Sequence, residues 1–151
     1  MDDQANISLI RQCYDSFLRG DIEHLLTFMA QDIRWDLPRM EGVPYSGKRQ
    51  GIDQVREFFQ LLDRSQKPLE FHPGEFVAQG DHVVVFGHYE WAVKSDGREW
   101  GADFAHSFRI RNGKVSSFHE YTDTHAAVEA YRAGAGASAG QAAQPDRPSM
   151  H

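Results

Sequence analysis

The chain has 151 residues, of which 40% are hydrophobic and 12% aromatic, enough for one domain with a real core and too few for two. A formal net charge of -6, without a cluster of Lys or Arg, argues against nucleic acid or an anionic membrane surface as the main partner. The single Cys13 excludes an intramolecular disulfide and a cysteine-based metal cluster, and no apolar run approaches the roughly 18 residues of a membrane span. Because the acidic N-terminus is unlike a signal peptide, we expect a soluble, cytoplasmic protein.

The N-terminal part of the chain predicts three helices separated by turn residues. The first begins at Asn6 and ends at Gly20, and Asp21 can cap a short second helix. The third follows a loop over residues 39–50, which holds Gly and Pro residues and is interpreted as irregular, lying over the surface or the mouth of a cavity. The apolar faces are Ile7, Ile10, Cys13, Tyr14, Phe17 and Leu18 in the first helix, Ile22, Leu25, Leu26 and Met29 in the second, and Ile52, Val55, Phe58, Phe59 and Leu62 in the third.

Alternating apolar residues predict strands elsewhere in the chain. A short strand over residues 33–37 places Trp35 inward, and a meander of four antiparallel strands begins with residues 69–78 and 82–94. The opposite face of the 82–94 strand is still half apolar, so we expect it to pack on a second copy of the chain in a homodimer. The inward set of that strand is Val83, Val85, Gly87, Tyr89, Trp91 and Val93.

The C-terminal part predicts one short helix and then a tail. Asp123 can cap a helix over residues 124–132. Residues 133–151 are low-complexity Ala, Gly and Pro, and we expect them to be disordered, with no function inferred. The predicted domain is therefore residues 1–132.

The last two strands of the meander, within residues 99–123, carry polar groups among aromatic ones. A two-residue Asn-Gly turn between them would place Glu120 on the face opposite His106. A three-residue loop ending at Gly113, or the equivalent register with a bulge at Ser116 and Ser117, would place both side chains on one face. We favour the arrangement with both side chains on one face, because it also turns the aromatic residue of the last strand inward. The residues on that face are then Phe104, His106, Phe118, Glu120 and Thr122.

Glu120 and His106 are the candidate catalytic residues. A charged carboxylate between Phe104 and Phe118 costs several kcal/mol to bury without a partner, so it must be paired, protonated or used in chemistry. His106 has a purely structural alternative as a neutral core histidine. The eight histidines show no His-x-His or His-x3-His spacing with a nearby carboxylate, so the sequence predicts no metal and no cofactor.

The order of elements resembles the SnoaL-like, ketosteroid-isomerase-related branch of the nuclear transport factor two-like superfamily over roughly residues 5–124. The segment from Gly113 to Asp123 is similar to the last strand of limonene-epoxide-hydrolase-like members, and Tyr45, Ser46 and Gly47 also fit. The resemblance implies an α+β, cone-shaped fold in which three N-terminal helices pack on a curved, mostly antiparallel sheet around a deep pocket. It also implies dimerisation through the outer sheet face.

The resemblance implies a pocket carboxylate at Glu120 and places His106 where ketosteroid isomerases hold the oxyanion with a protonated acid. Gly87 and Tyr89 fall where the epoxide hydrolases have an arginine and a second aspartate, so that reaction is not expected. Steroid isomerisation is not supported either. The isomerase tyrosine position could fall on Cys13 or Tyr14, and its general base on Asp36 or Leu37.

Two functions follow from this interpretation. The first is an enzyme that uses general acid–base chemistry on a hydrophobic carbonyl or polycyclic compound, with Glu120 as acid or base and His106 as donor to an oxyanion. The second is a non-catalytic module that binds a hydrophobic molecule or serves as a dimeric scaffold. The expected binding residues are Phe17, Trp35, Asp36, Phe59, Tyr89, Trp91, Phe104, Phe118 and Thr122.

Overall fold

The computed structural model describes residues 2–136. The last helix, α4 (Thr124–Gly136), continues four residues past the predicted domain boundary and is capped by Asp123, whose carboxylate accepts from the Ala126 amide at 3.1 Å. The rest of the predicted tail lies outside the described residues. No helix within residues 2–136 is long and apolar enough to cross a membrane.

Helix α1 (Asp3–Leu18) begins earlier than predicted, because Asp2 and not Asn6 is its N-cap. The Asp2 carboxylate accepts from the Ala5 amide at 2.8 Å, whereas Asn6 is buried and donates its side-chain amide to the Gly80 carbonyl at 3.0 Å. The helix ends before Gly20, whose φ of 77° suits glycine. Its last residue, Leu18, was expected in the core and is 50% exposed.

Two further helices precede most of the sheet. Helix α2 (Ile22–Leu26) is capped by Asp21 as predicted, but Met29 begins a strand instead of ending this helix. Helix α3 (Ile52–Ser65) buries the predicted apolar face, with Ile52 only half-buried.

Six strands form one curved sheet in the order β2-β1-β6-β5-β4-β3. Strand β1 is parallel to β6, and every other neighbouring pair is antiparallel. The strands are β1 (Met29–Asp36), β2 (Lys48–Gln50), β3 (Gln66–Gln79), β4 (His82–Val93), β5 (Glu99–Arg111) and β6 (Lys114–Thr122).

The segment over residues 39–50 is more ordered than the expected irregular loop. Its end forms β2, which pairs with β1 through Arg34 and Gln50. Within it, Met40, Val43 and Tyr45 are buried in the core. The Tyr45 hydroxyl donates to Gln66 on β3, a distant partner that the local Gly and Pro content does not report.

The β5–β6 hairpin combines the two-residue turn with a bulge. Asn112 and Gly113 form the turn with φ values of 51° and 75°, so the three-residue loop was wrong. Farther along, Ile110 pairs with Val115 but Arg109 pairs with Ser117, which leaves Ser116 as an extra residue. The bulge shifts the register by one, and His106 therefore lies directly opposite Glu120 on the inner face.

Candidate active site

A chamber of about 80 Å³ lies between the helices and the inner face of the sheet. Its wall is largely aromatic, with contributions from α1, α2, α3 and every strand from β3 to β6, as well as from β1. The polar groups facing it include Tyr14, Gln66, His106 and Glu120. Its aromatic lining includes Phe17, Trp35, Phe58, Phe59, Phe71 and Phe118.

Three side chains from three elements form a continuous hydrogen-bonded chain in this wall. The Tyr14 hydroxyl on α1 lies 2.6 Å from Nδ1 of His106 on β5. Nε2 of the same ring lies 2.9 Å from Oε1 of Glu120 on β6. All three residues are buried, so the chain is shielded from bulk water.

The electrostatics fix the direction of these hydrogen bonds. Burial, and then the negative charge of Glu120, raise the pKa of Tyr14 well above its usual value, so its hydroxyl stays protonated. We therefore assign Tyr14 as the donor to Nδ1 of His106, and the Nε2–H of His106 as the donor to the Glu120 carboxylate, because this tautomer satisfies all three groups. In this arrangement both ring nitrogens of His106 bond to protein groups, so the ring positions the Glu120 carboxylate.

The His106 ring is held in place by stacking. The centroids of the Phe104 and His106 rings are 4.0 Å apart, and the two rings are nearly parallel, with an interplanar angle of 19°. The Tyr89 ring also stacks on Phe104, at 5.0 Å between centroids. Gly87 makes this possible, because a Cβ there would lie 2.4 Å from Cζ of Phe104 and 2.6 Å from the His72 carbonyl oxygen. A residue without a side chain on β4 therefore creates the space for the stack on β5.

A second polar cluster centres on Gln66 at the start of β3. Its Oε1 accepts from the Tyr45 hydroxyl at 3.1 Å and from the Tyr131 hydroxyl at 2.5 Å. These two bonds orient the amide, and its Nε2 makes no hydrogen bond with another described residue. Gln66 is 2% exposed and lines the chamber, so it offers a fixed amide donor to whatever occupies the chamber.

The expected site residues separate into two groups. Both expected catalytic residues line the chamber, with six of the expected binding residues: Phe17, Trp35, Phe59, Tyr89, Trp91 and Phe118. Asp36, Phe104 and Thr122 are not in its wall. Phe104 stacks on His106. Thr122 accepts a hydrogen bond from the Tyr89 hydroxyl at 3.0 Å. Asp36 follows Trp35 along β1, so the two side chains point to opposite faces of the sheet.

Sequence reasoning missed Gln66 and gave Tyr14 only as one of two alternatives. The helical stripe of α1 marked Tyr14 as inward-facing, but its partner His106 lies 92 residues away. Gln66 carries no sequence signal, because its two tyrosine partners come from a loop and from α4. Cys13 also lines the chamber, and burial raises the pKa of its thiol to about 12, so it is not a ready nucleophile.

Residues 10–118 match the SnoaL-like domain. An NTF2-like protein from Burkholderia xenovorans LB400 is 32% identical, with a TM-score of 0.79 over 87% of this chain and 98% of that one. TerC, crystallised with polyporic acid, is 32% identical, with a TM-score of 0.76 over 85% of this chain and 98% of that one. No curated protein matches the chain significantly.

Proposed function

The chain belongs to the SnoaL-like domain family, and from this premise we propose that it is an enzyme that moves a proton on a largely apolar carbonyl compound without a cofactor. The observation that carries the proposal is the Glu120 carboxylate, which His106 holds by one oxygen inside an aromatic chamber. A carboxylate removed from water and oriented by a hydrogen bond is suited to act as a general base.

The proposed reaction is an enolisation. Glu120 takes a proton from the carbon next to the carbonyl, the C–H electron pair forms the C=C bond, and the carbonyl oxygen becomes an enolate. Glu120 then returns the proton to the same or to a conjugated carbon, so no group is gained or lost. His106 holds the carboxylate in position, and Tyr14 holds the His106 ring.

Gln66 is the proposed donor to the enolate oxygen. Its amide nitrogen has no partner among the described residues, while the two tyrosines fix its orientation. A donor that is already oriented in a dry site stabilises developing charge without the cost of reorganisation. The similarity to TerC, which was crystallised with polyporic acid, supports an aromatic, oxygen-bearing ligand for the chamber.

The proposal is tested by deuterium exchange at the carbon next to the carbonyl of 2-tetralone in D₂O, followed by NMR. The wild-type protein should accelerate the exchange, and Glu120→Gln should lower the turnover by about a hundredfold or more, because general-base catalysis is typically worth that much. Glu129→Gln, an exposed glutamate paired with Arg132 on α4, is the matched control and should leave the rate unchanged. Exchange at the buffer rate, or equal rates for both variants, contradicts the proposal.

A second candidate function is a non-catalytic binding module. It is favoured by one observation, namely that each functional group of the Tyr14–His106–Glu120 chain already has a protein partner. In that case Glu120→Gln changes the affinity for a bound phenol, and no protein variant accelerates the exchange.

A further inference from the structure

A second, larger depression adjoins the chamber. This outer pocket has a volume of about 550 Å³ and lies where the end of α1 and α2 meet α3 and the start of β3. The residues that line both spaces, and so form the partition between them, are Phe17, Phe59, Leu62, Gln66 and Trp91.

The volumes of the two spaces limit what can bind. A dry cavity that takes up benzene measures about 150 Å³, whereas ligand pockets usually measure about 300–1,000 Å³. The chamber, at about 80 Å³, therefore admits only the oxygen-bearing edge of a ring. The outer pocket, at about 550 Å³, is large enough for a second ring system.

The chemistry of the outer pocket favours a neutral, apolar occupant. Its charged lining residues balance, with Arg19 and Arg56 against Glu23 and Asp63. Arg56 is already bound to Glu23 at 2.7 Å and to Asp53 at 2.8 Å. The uncharged part of the lining is mostly apolar, beside the amides of Gln60 and Gln66, and it includes Leu18, Ile22, Phe59, Pro68 and Trp91.

The exposure of Leu18 also indicates an apolar occupant for the outer pocket. It is 50% exposed at the end of α1, although the helical pattern of the sequence assigns it to the core. Its side chain lines the outer pocket and not the chamber.

We propose that the outer pocket is a second subsite, which takes an apolar ring joined to the oxygen-bearing ring whose edge enters the chamber. The ligand is thus an elongated, aryl-substituted compound. This inference rests on the proposed function, because it assumes that the reacting oxygen enters the chamber beside Glu120 and Gln66. The Phe17 and Phe59 rings pack against each other in the partition, 5.9 Å apart between centroids, and they must move apart for such a ligand to cross it.

The test compares phenol, which mimics an enol, with 4-phenylphenol, which adds one ring. Binding is measured by titration in amide NMR spectra. We expect 4-phenylphenol to bind at least about tenfold tighter than phenol, because it buries a further apolar ring. Phenol should shift chamber amides such as those of His106 and Glu120, and 4-phenylphenol should also shift those of Leu18, Ile22 and Asp63.

Leu18→Asn and Leu69→Asn are the matched variants. Both leucines are partly exposed, at 50% and 42%, but Leu69 lines neither space. We expect Leu18→Asn to weaken 4-phenylphenol binding by at least about threefold, through lost apolar contact, and to leave phenol binding unchanged. Leu69→Asn should change neither. If Leu18→Asn fails to fold, the shift map of the wild-type protein still decides.

The outcomes separate the two proposals. If phenol binds in the chamber and the added ring brings no affinity, or shifts amides elsewhere, the second subsite is wrong and the chamber proposal stands. If neither compound binds, both the subsite and the proposed function are overturned.

Discussion

At the scale of single residues, the site depends on how three buried polar groups satisfy one another. Glu120 would be costly to bury alone, and His106 supplies its partner at 2.9 Å. His106 in turn needs an acceptor at Nε2 and a donor at Nδ1, and Glu120 and Tyr14 supply them. The three residues therefore form one unit whose members cannot be removed independently.

Tyr14→Phe should lower the free energy of unfolding by about 1–3 kcal/mol, because it leaves Nδ1 of His106 buried without a donor. Tyr121→Phe is the control, since Tyr121 is 56% exposed, and it should change the free energy by less than about 0.5 kcal/mol. Urea unfolding followed by circular dichroism measures both. Equal stability of the two variants would show that the Tyr14 hydroxyl is not needed.

At the scale of secondary-structure elements, the β5–β6 hairpin decides which way Glu120 points. The alternation of the strands predicted their inner faces, the Asn112–Gly113 pair predicted a turn, and the favoured facing of Glu120, with a bulge near Ser116 as one way to reach it, is confirmed. The bulge at Ser116 settles the facing, since it adds one residue to β6. Inward aromatic residues were the useful signal, because a facing that buries Phe118 also buries Glu120.

Other features of the elements could not be predicted from local pattern. The parallel pairing of β1 with β6 joins strands that are about 80 residues apart in the chain. The cluster around Gln66 likewise joins three distant segments. Helix periodicity and strand alternation report which side of an element is buried, and they do not report which distant residue lies opposite.

The β4–β5 pair carries a pH-dependent contact on its outer face. His88 on β4 lies 2.6 Å from Glu90 and 2.9 Å from Asp103 on β5, and these hydrogen bonds raise the pKa of His88 above its ordinary value of 6.5. The charged imidazole is therefore favoured in the folded state. Its stabilising effect is fully present below pH 6.5 and is lost as the pH rises through the raised pKa.

We expect the stability difference between wild type and His88→Gln to be largest below pH 6.5 and to shrink as the pH rises. In a single copy of the chain the difference is small, because His88 and Glu90 are partly exposed to solvent. Urea unfolding between pH 5 and pH 8 at one protein concentration measures it. In a Glu90→Gln, Asp103→Asn background the pH dependence should disappear, and a difference that grows with pH would contradict the assignment.

At the scale of the whole molecule, the outer sheet face carries exposed apolar side chains. Phe86 is 47% exposed, and it lies opposite Ala105 in the β4–β5 register. Val84 and His88 share this face with Phe86 along β4. A partly apolar sheet face of this kind is suited to pack against the same face of a second copy.

We expect a homodimer through this face. Light scattering at micromolar concentration should give twice the mass of the chain, and Phe86→Lys should give the mass of one chain, because it buries a charge in the interface. Leu18→Lys, at an equally exposed leucine away from the sheet, should remain a dimer. A monomer mass for the wild-type protein would contradict the prediction.

The glycine at position 87 also limits which substitutions this site can accept. The resemblance places Gly87 where limonene-epoxide-hydrolase-like members have an arginine, and a single base change converts a glycine codon to an arginine codon. The protein cannot use that short genetic route, because a side chain at 87 would collide with Phe104 and with the β3 backbone. A smaller residue at 104 would relieve only the first of these clashes, and it would remove the stack that holds His106. An arginine at position 87 and the stack of Phe104 on His106 therefore exclude each other, so one substitution at this position cannot add the first without the loss of the second.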